Sequence, residues 1–447
     1  MTAALYDSLH PYQVVGVDFL AARERAFLAD DMGLGKTLQA IRAADKIKAQ
    51  RVLHVVPAVA RVSVGREWQR WQGLRRAVHI VTDGKTEIPW NAEVVVVNYD
   101  LLKKRREDLF ATGRYDVLIL DEVQALKSSN SQRTKAVIGN KIDIGLVENA
   151  DRVWVMTGTP VPNHYGELFV LAKHLVPDVA SGLGIKNYWS WLGRFCVTRE
   201  TDYGLQVIGN KNSTELAAAL KPHMLRRRKA QVLADLPKLT IGEHVVEPDP
   251  DLLKQAKARN RDELAQMKAL LNECIGGESL MEDALHLASI RRLIGTLKAT
   301  GVAALARDIL ENTDEKVIVF SIHRDVMARI ESELESWGVV TIHGGTTPAN
   351  RTAALDSFTA PGSSVRVANL QIQACNSALN LQAASRVIFA EASWTPSDND
   401  QAIARAHRMG QPRPVLATFV SLAGSIDEAV TGVLLRKMAD IKKLFES

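Results

Sequence analysis

Short apolar runs without alternation recur along the chain, separated by stretches in which apolar residues follow helical spacing. The runs occupy 51–56, 93–97, 117–120 and 153–156 in the first half, and 317–320, 339–342, 365–368, 387–390 and 415–420 in the second. Strands covered by helices on both faces have this continuous apolar character, which is typical of parallel sheets. The pattern therefore predicts an α/β protein with two parallel sheets.

The stretch between the two sets of runs differs in composition. From about 168 to 300 apolar runs are scarce, so strands are predicted to nearly vanish, and helical composition takes over, as in 216–220 and 262–265. A Pro-Asp-Pro sequence at 248–250 is typical of a boundary. This middle stretch therefore predicts helical insertions between the two sheets.

The length of 447 residues and an apolar fraction of 46% are enough for two hydrophobic cores. We predict a first domain over 1–240, with a helical insertion from about 168. A second domain over 241–447 would carry its own helical insertion to about 300. The helical pattern at 426–445 predicts a final helix that packs across both domains.

A glycine-rich string lies between the first predicted strand, at 25–29, and a helical pattern at 38–44. Gly33 and Gly35 would let backbone N–H groups approach phosphate oxygens, Lys36 would reach the outer phosphates, and Thr37 would ligate Mg²⁺. The usual first glycine of such a loop is replaced by Asp30. By itself the string also fits a glycine turn that caps a helix.

Two adjacent carboxylates, Asp121 and Glu122, end the apolar run at 117–120. At the carboxyl end of a buried parallel strand, Asp121 would hold Mg²⁺ through water and Glu122 would orient the attacking water. The alternative is that both cap the strand or pair with Lys127. Together with the glycine-rich string, they favour an ATP site.

A third element lies far downstream, where Arg405 and Arg408 are spaced to share one helical face. A guanidinium is permanently charged and would stabilise the transferring γ-phosphoryl group. Without context such a pair is usually a solvated helix face. We predict a catalytic role because the second set of strands would place these arginines on the second domain.

The order of these motifs resembles the Swi/Snf group of helicase superfamily 2, which are double-stranded DNA translocases, over nearly the whole chain. The matching segments are 10–13 (the adenine-reading Q motif), 55–57 with 68–71 (motif Ia), 97–102 (motif Ib), 121–124 (the Asp-Glu box), 156–163 with 167–169 (motif III), 225–229 with 236–238 (the basic stretch leaving the first lobe), 316–321 (motif IV), 343–346 (motif IVa) and 401–411 (motif VI). The resemblance implies two RecA-like lobes and the cofactors ATP and Mg²⁺.

The resemblance also implies roles for individual residues. Nucleotide contacts are expected from Tyr12, Gln13, Asp31, Met32, Gly33, Leu34, Gly35, Lys36, Thr37 and Gln401, Mg²⁺ ligation from Thr37 and Asp121, and catalysis from Lys36, Asp121, Glu122, Arg405 and Arg408. DNA contacts are expected from Pro57, Asn98, Tyr99, Thr157, Gly158, Thr159, His343, Gly344, Thr346, Asn380 and Trp394. For Trp394, packing between helices is an equal alternative.

Within the group, 387–391 followed by 394–396 looks most like the annealing-helicase, HepA-related branch that remodels replication forks. This implies ATP-driven movement on double-stranded or forked DNA, with a part in DNA repair. One alternative is a motor of the same fold that displaces proteins from DNA or acts on RNA. Another is a nucleotide-switched DNA-binding protein with little hydrolysis.

Three positions depart from the pattern of the group. Asp31 replaces a glutamate, Gln124 replaces the histidine of the Asp-Glu box, and 374–381 lacks the glycines of motif V. The last two would alter how hydrolysis is coupled to the second lobe. Because Lys36 and Glu122 match the pattern, an active ATPase is still the prediction.

The formal net charge of +5 suits a polyanionic partner without demanding one. Basic clusters at 103–106 and 226–229 could contact phosphates, although more than half of such runs are solvated faces. The three cysteines are far apart, which argues against a zinc site or a disulfide framework.

No apolar run reaches membrane-spanning length. We expect a monomer without membrane attachment, in the cytoplasm, on the nucleoid of a prokaryote or virus-infected cell, or in a eukaryotic nucleus.

Overall fold

The computed structural model describes residues 9–140, 142–161, 163–201, 204–233, 235–259, 284–373 and 381–444. They form two compact units. Unit 1 is Met1–Ala234 with Ile441–Ser447, and unit 2 is Asp235–Asp440. The predicted boundary at 240 falls inside a strand of unit 2.

Unit 1 contains a seven-stranded parallel sheet in the order β3-β4-β2-β5-β6-β1-β9, and a separate antiparallel hairpin, β7-β8. Its strands are β1 (Arg25–Leu28), β2 (Val52–Val56), β3 (Val78–Ile80), β4 (Val94–Asn98), β5 (Tyr115–Asp121), β6 (Ala150–Met156), β7 (Cys196–Thr201), β8 (Gly204–Asn210) and β9 (Met224–Leu225). Its helices are α1 (Pro11–Ala21), α2 (Lys36–Lys46), α3 (Arg61–Trp71), α4 (Arg106–Ala111), α5 (Gln132–Ile138), α6 (Asp178–Gly182), α7 (Tyr188–Phe195), α8 (Ser213–Leu220) and α9 (Lys229–Val232).

Unit 2 contains a six-stranded parallel sheet in the order β10-β15-β14-β11-β13-β12. Its strands are β10 (Leu239–Val246), β11 (Val317–Ser321), β12 (Val339–Ile342), β13 (Val367–Gln371), β14 (Arg386–Phe389) and β15 (Val415–Leu422). Its helices are α10 (Pro250–Arg259), α11 (Ala284–Asn312), α12 (Arg324–Leu334), α13 (Pro348–Thr359), α14 (Pro396–Ala406) and α15 (Ile426–Leu444), the last of which ends in the segment assigned to unit 1.

Each sheet is buried on both faces, which explains the continuous apolar runs. In β1, Phe27 packs into one apolar cluster, while Ala26 and Leu28 pack into the cluster on the opposite face. In β11, Ile318 and Val319 divide between two clusters in the same way. Every second residue of a strand faces the same side, so burial of both faces requires apolar residues at consecutive positions. The predicted α/β class with two parallel sheets is confirmed.

The prediction that strands nearly vanish between 168 and 300 is wrong. The hairpin β7-β8 lies there, β9 extends the sheet of unit 1, and β10 forms the edge of the sheet of unit 2. None of them has a long apolar run, because a hairpin and an edge strand keep polar residues on exposed faces and β9 has only two residues. The segment 262–265 lies outside the described residues.

The strands of each sheet run in the same direction, so their carboxyl ends share one edge. In unit 1 this edge carries the glycine-rich loop after β1, the carboxylates at the end of β5, and the 157–159 segment after β6. Ligand sites of open α/β sheets lie at this edge. Within the described ranges, no helix has the length and apolar character to cross a bilayer.

Candidate nucleotide site

The loop after β1 has the backbone that phosphate binding requires. Gly33 and Gly35 have φ values of 86° and 73°, in the left-handed region that side chains rarely adopt. A Cβ on Gly35 would also lie 2.5 Å from Gln13 Nε2. No described side chain caps the start of α2 at Gly35, so the first N–H groups of this helix are available to an anion.

Lys36 begins α2 and folds back over the loop. Its Nζ donates to the backbone oxygen of Asp30 at 2.9 Å and lies 3.5 Å from that of Asp31. A Cβ on Gly158 would lie 3.3 Å from the same Nζ and 2.4 Å from Met32 Cγ. Gly158 therefore allows the 157–159 segment to lie directly against the glycine-rich loop and the lysine.

The two carboxylates lie at the end of β5. Burial and the neighbouring Glu122 carboxylate raise the pKa of Asp121 to about 7, while Lys36 opposes this rise. A divalent cation would favour the charged form, and a carboxylate with the Thr37 hydroxyl is a donor set that suits Mg²⁺. Glu122 itself has a φ of 49°, in the left-handed region, which is uncommon for a residue with a side chain.

Gln124 joins Glu122 to the end of β6. Its Nε2 donates to Glu122 Oε2 at 2.7 Å, and its Oε1 lies 2.7 Å from Thr157 Oγ1. The Thr157 hydroxyl also lies 3.2 Å from Glu122 Oε2, but it has one proton, and the shorter distance favours donation to Gln124. The glutamine that departs from the pattern of the group therefore links the Asp-Glu box to motif III.

The predicted adenine-reading residues lie on α1. Gln13 accepts from the His10 N–H at 3.0 Å and donates to the Leu34 carbonyl at 3.3 Å, so its amide is bound to the glycine-rich loop. Tyr12 is 9% exposed, and its hydroxyl has no hydrogen-bond partner among the described residues. This hydroxyl is a buried group that a ligand can satisfy.

Two arginines of the basic stretch 226–229 are held by contacts within unit 1. The Arg227 side chain is only 12% exposed and pairs with Asp30, which is fully buried. Arg226 donates to the Ala29 carbonyl at 2.9 Å. These contacts join residues far apart in sequence, so no local pattern identified them. The suggestion that this cluster contacts phosphates is wrong for Arg227.

The predicted DNA contacts of unit 1 are mostly enclosed. Asn98, Tyr99 and Thr157 are 4%, 3% and 0% exposed. Asn98 Oδ1 accepts from Arg61 Nη1 at 2.6 Å, and the Tyr99 hydroxyl donates to the Asp121 carbonyl at 2.7 Å. These side chains therefore support the edge of the sheet. Gly158 and Thr159 are also buried, and Pro57 is partly exposed.

In unit 2, Gln401 and Arg405 lie on α14, but the helix ends at Ala406. The prediction that Arg405 and Arg408 share a helical face is therefore wrong, since Arg408 lies in the turn after the helix. Gln411 caps this end, because its Nε2 donates to the Ala406 carbonyl at 3.1 Å and satisfies an acceptor at the helix end.

Three of the predicted DNA contacts of unit 2 lie together in the loop that follows β12, namely His343, Gly344 and Thr346. His343 Nδ1 lies 2.7 Å from Arg324 Nη2, and Thr346 Oγ1 accepts from the His343 N–H at 3.0 Å. The exposed Gly344 donates its N–H to Gln371 Oε1 at 2.9 Å. Sequence reasoning missed Arg324, which belongs to none of the quoted motifs.

The Trp394 ring lies 4.2 Å from the guanidinium of Arg291 and lines a pocket within unit 2. Its ring is thus engaged in packing, which was one of the two open interpretations. Asn380, with the rest of 374–380, lies outside the described residues, so its contact stays a prediction.

Two domain families match the sequence. The SNF2-related domain matches residues 12–287, and the helicase conserved C-terminal domain matches residues 301–410.

Similar proteins cover nearly the whole chain. The Xenopus tropicalis SWI/SNF-related matrix-associated actin-dependent regulator of chromatin subfamily A-like protein 1 is 31% identical over 444 residues, 97% of this chain and 44% of that protein. The Mus musculus DNA annealing helicase and endonuclease ZRANB3 is 30% identical over 450 residues, 97% of this chain and 40% of that protein. The chain therefore spans less than half the length of these relatives.

Among solved structures, the Sulfolobus solfataricus SWI2/SNF2 ATPase core in complex with dsDNA aligns with 98% of this chain and 92% of its own. The sequence identity is 21% and the TM-score is 0.45.

Proposed function

Because the chain belongs to the SNF2-related family, we propose that it is a DNA-dependent ATPase that couples ATP hydrolysis to movement on double-stranded or forked DNA. Membership confirms the resemblance predicted from the motifs. The observation that carries the proposal is the bonded set at the edge of the unit 1 sheet, in which Glu122, Gln124 and Thr157 are joined beside the glycine-rich loop.

The chemistry follows from what each side chain can do. The N–H groups at the start of α2 and the Lys36 ammonium bind the phosphates, and Lys36 leaves the loop carbonyls to do so. Thr37 and Asp121 hold Mg²⁺, which supplies positive charge to the phosphate oxygens. Glu122 orients the attacking water, and Gln124 fixes the carboxylate by donating to one of its oxygens.

Unit 2 contributes positive charge in this proposal. Arg405 and Arg408 stabilise the charge that spreads over the γ-phosphoryl group during transfer. Arg405 lies on α14, whereas Arg408 lies in the turn that follows this helix. The two arginines are therefore held differently and are not interchangeable.

The substrate class is inferred from the relatives. One is named as a DNA annealing helicase, and the archaeal core is described in complex with dsDNA. We propose duplex or forked DNA as the partner, annealing or fork remodelling as the outcome, a monomeric motor, and a location with DNA in the nucleus or nucleoid. A net charge of +5 is compatible with mostly phosphate contacts, which carry no sequence preference.

The test is steady-state ATP hydrolysis with no nucleic acid, single-stranded DNA, duplex DNA, forked DNA and RNA, with Glu122→Gln as the blank. Stimulation by duplex or forked DNA well above single strands is the expected result. Stimulation by RNA alone would indicate an RNA motor. Nucleotide binding with blank-like turnover on every polymer would favour a nucleotide-switched binding protein.

A further inference from the structure

Asp30 stands where a phosphate loop ordinarily has its first glycine, and it is fully buried. Four donors surround its carboxylate. Oδ1 accepts from the Arg227 N–H at 3.1 Å and from Nε at 2.9 Å, and Oδ2 accepts from Arg227 Nη2 at 2.5 Å and from Gln39 Nε2 at 3.2 Å. A buried carboxylate is tolerated only when it is paired in this way.

The remaining donors of Arg227 bind the two helices beside the loop. Nη1 donates to the Tyr12 carbonyl on α1, and Nη2 donates to Gln39 Oε1 on α2 at 2.8 Å. Gln39 in turn donates to the Leu34 carbonyl at 3.0 Å, inside the glycine-rich loop. A planar guanidinium with five N–H groups can serve these partners at once, and a lysine cannot.

Gly16 on α1 supports this arrangement independently. A Cβ at this position would lie 1.7 Å from Gln39 Oε1 and 2.8 Å from Arg227 Nη2. The residue is in the middle of a helix, where glycine is unfavourable by roughly 0.5–1 kcal/mol relative to alanine. The space that it leaves is filled by the contact between Arg227 and Gln39.

The segment that carries Arg227 is bonded to the start of the loop along its length. Arg226 Nη2 lies 3.4 Å from Asp31 Oδ1, and the Lys229 N–H donates to Asp31 Oδ2 at 3.1 Å. The Asp31 N–H donates to the Arg227 carbonyl at 3.0 Å. The first and longer segment of unit 1 ends shortly after, at Ala234. We call residues 226–233 the connector.

We propose that Arg227 is a positioning residue for nucleotide binding, which holds the glycine-rich loop in its binding conformation from the connector. Arg227 does not contact phosphate, because its donors are occupied by Asp30, Tyr12 and Gln39. Nucleotide binding and the conformation of the connector are then linked, since both depend on the position of Asp30 and Asp31. The inference rests on the proposed function for the identity of the nucleotide.

The rival explanation is that this pair only stabilises unit 1. The chain provides a matched control in Arg76 and Asp45, a second buried pair in the same unit, with exposed fractions of 3% and 5%. Asp45 lies near the end of α2 opposite to the phosphate loop. Arg76→Gln therefore breaks a buried ion pair at a distance from the nucleotide.

The experiment compares Arg227→Gln, Arg227→Lys, Asp30→Asn, the double variant Asp30→Asn with Arg227→Gln, and Arg76→Gln. For each full chain we would measure the thermal midpoint, the Kd of a fluorescent ATP analogue, and KM and kcat with duplex DNA. Both Arg→Gln variants should lower the midpoint. Only Arg227→Gln should raise the Kd of the analogue and the KM for ATP, by about tenfold or more. An effect of this size is expected when a residue that supports a binding group, here the glycine-rich loop, is removed.

Two further results would sharpen the assignment. Arg227→Lys should keep the charge but recover little affinity for the analogue. A lysine ammonium lacks the planar set of N–H donors with which a guanidinium binds several partners at once. The double variant should bind nucleotide no worse than Arg227→Gln alone, since the residues act as one unit.

The inference is overturned if Arg227→Gln binds the analogue as wild type does. It is also overturned if Arg76→Gln weakens binding of the analogue as much as Arg227→Gln. If Arg227→Gln fails to fold, the Kd for the analogue is measured for Asp30→Asn and Arg227→Lys instead. A wild-type Kd in both of these variants would then overturn the inference. Wild type that binds the analogue without hydrolysing ATP would contradict the proposed function and leave the Kd comparison valid. Wild type that binds no nucleotide would overturn both.

Discussion

Units 1 and 2 have the same architecture, yet the carboxyl edges of their sheets are organised differently. In unit 1 the side chains after β5 and β6 are bonded directly to one another, because Gln124 joins Glu122 to Thr157. In unit 2 the loops are joined largely through backbone groups. The Glu391 carboxylate accepts from the N–H groups of Ile322 and His323 at 2.9 and 2.8 Å. Gln371 donates to the Ile322 carbonyl and accepts from the Gly344 N–H, both at 2.9 Å.

The difference shows that the fold provides an edge and that the loops decide its chemistry. A transferring phosphoryl group needs several groups held at fixed positions, which the bonded set in unit 1 supplies. Exposed groups, such as Gly344 and Arg324 in unit 2, are suited to contacts that change along a polymer. We therefore expect substitutions in unit 1 to affect binding and chemistry, and substitutions in unit 2 to affect turnover or DNA.

The largest expected effect is that of Arg405→Ala in unit 2. Nucleotide affinity should remain near wild type, because the binding loop belongs to unit 1, while kcat falls by roughly a thousandfold or more, as for other arginines that act on the transferring group. Analogue binding and steady-state hydrolysis measure the two parts. Arg413→Ala, on the surface of the same unit, is the control, and turnover equal to wild type in Arg405→Ala would reject the assigned role.

The next effect concerns Gln124→Leu in unit 1. The substitution removes the donor to Glu122 and the acceptor for Thr157, so kcat should fall by about 10- to 100-fold, with a smaller change in nucleotide affinity. Gln50→Leu changes an exposed glutamine of the same unit and should leave kcat unchanged. A wild-type kcat in Gln124→Leu would show that Glu122 is held without this link.

The stability of unit 1 should depend on pH through His54. Burial lowers the pKa of this histidine to about 3, and its Nδ1 accepts from Trp68 Nε1 at 3.0 Å. Since the unfolded histidine titrates near 6.5, the unfolded state binds more protons between these values. Stability should therefore fall as pH falls through this window, by up to about 1.4 kcal/mol per pH unit.

His54→Gln keeps a hydrogen-bond acceptor but does not titrate, so it should flatten this dependence. Denaturant unfolding between pH 7 and pH 4 measures how the free energy of unfolding depends on pH. The control is His244→Gln, which changes an exposed histidine of unit 2. Equal slopes in wild type and His54→Gln would contradict the assignment.

The smallest expected effect is that of Arg324→Ala at the carboxyl edge of unit 2. If this edge contacts DNA phosphates, the variant should bind duplex DNA a few-fold more weakly and reduce the slope of log Kd against log salt by about one. Arg329→Ala removes an exposed arginine from the same helix that pairs with Glu333 at 3.3 Å. An equal slope of log Kd against log salt in both variants would indicate that Arg324 does not contact DNA phosphates.

Much of the fold and of the candidate site could be predicted because the signals are local. A strand buried on both faces must be apolar at consecutive positions, so 317–320 and 387–390 were identified as strands. Gly33, Gly35 and Lys36 are close in sequence because a tight turn must lead directly into a helix. The carboxylate of Asp121 could be predicted as a site residue for the same reason, because it directly follows an apolar run in the sequence.

Tertiary structure alone decided how the polar residues are paired. Arg227 and Asp30 are 197 positions apart, and Thr157 and Gln124 are 33 apart. A single long-range hydrogen bond produces no periodicity, and an arginine in a basic cluster has the same sequence appearance whether it is solvated or buried. The sequence thus determined which residues reach the edge of each sheet, whereas packing decided which of them bond to one another, since that depends on the distances between elements.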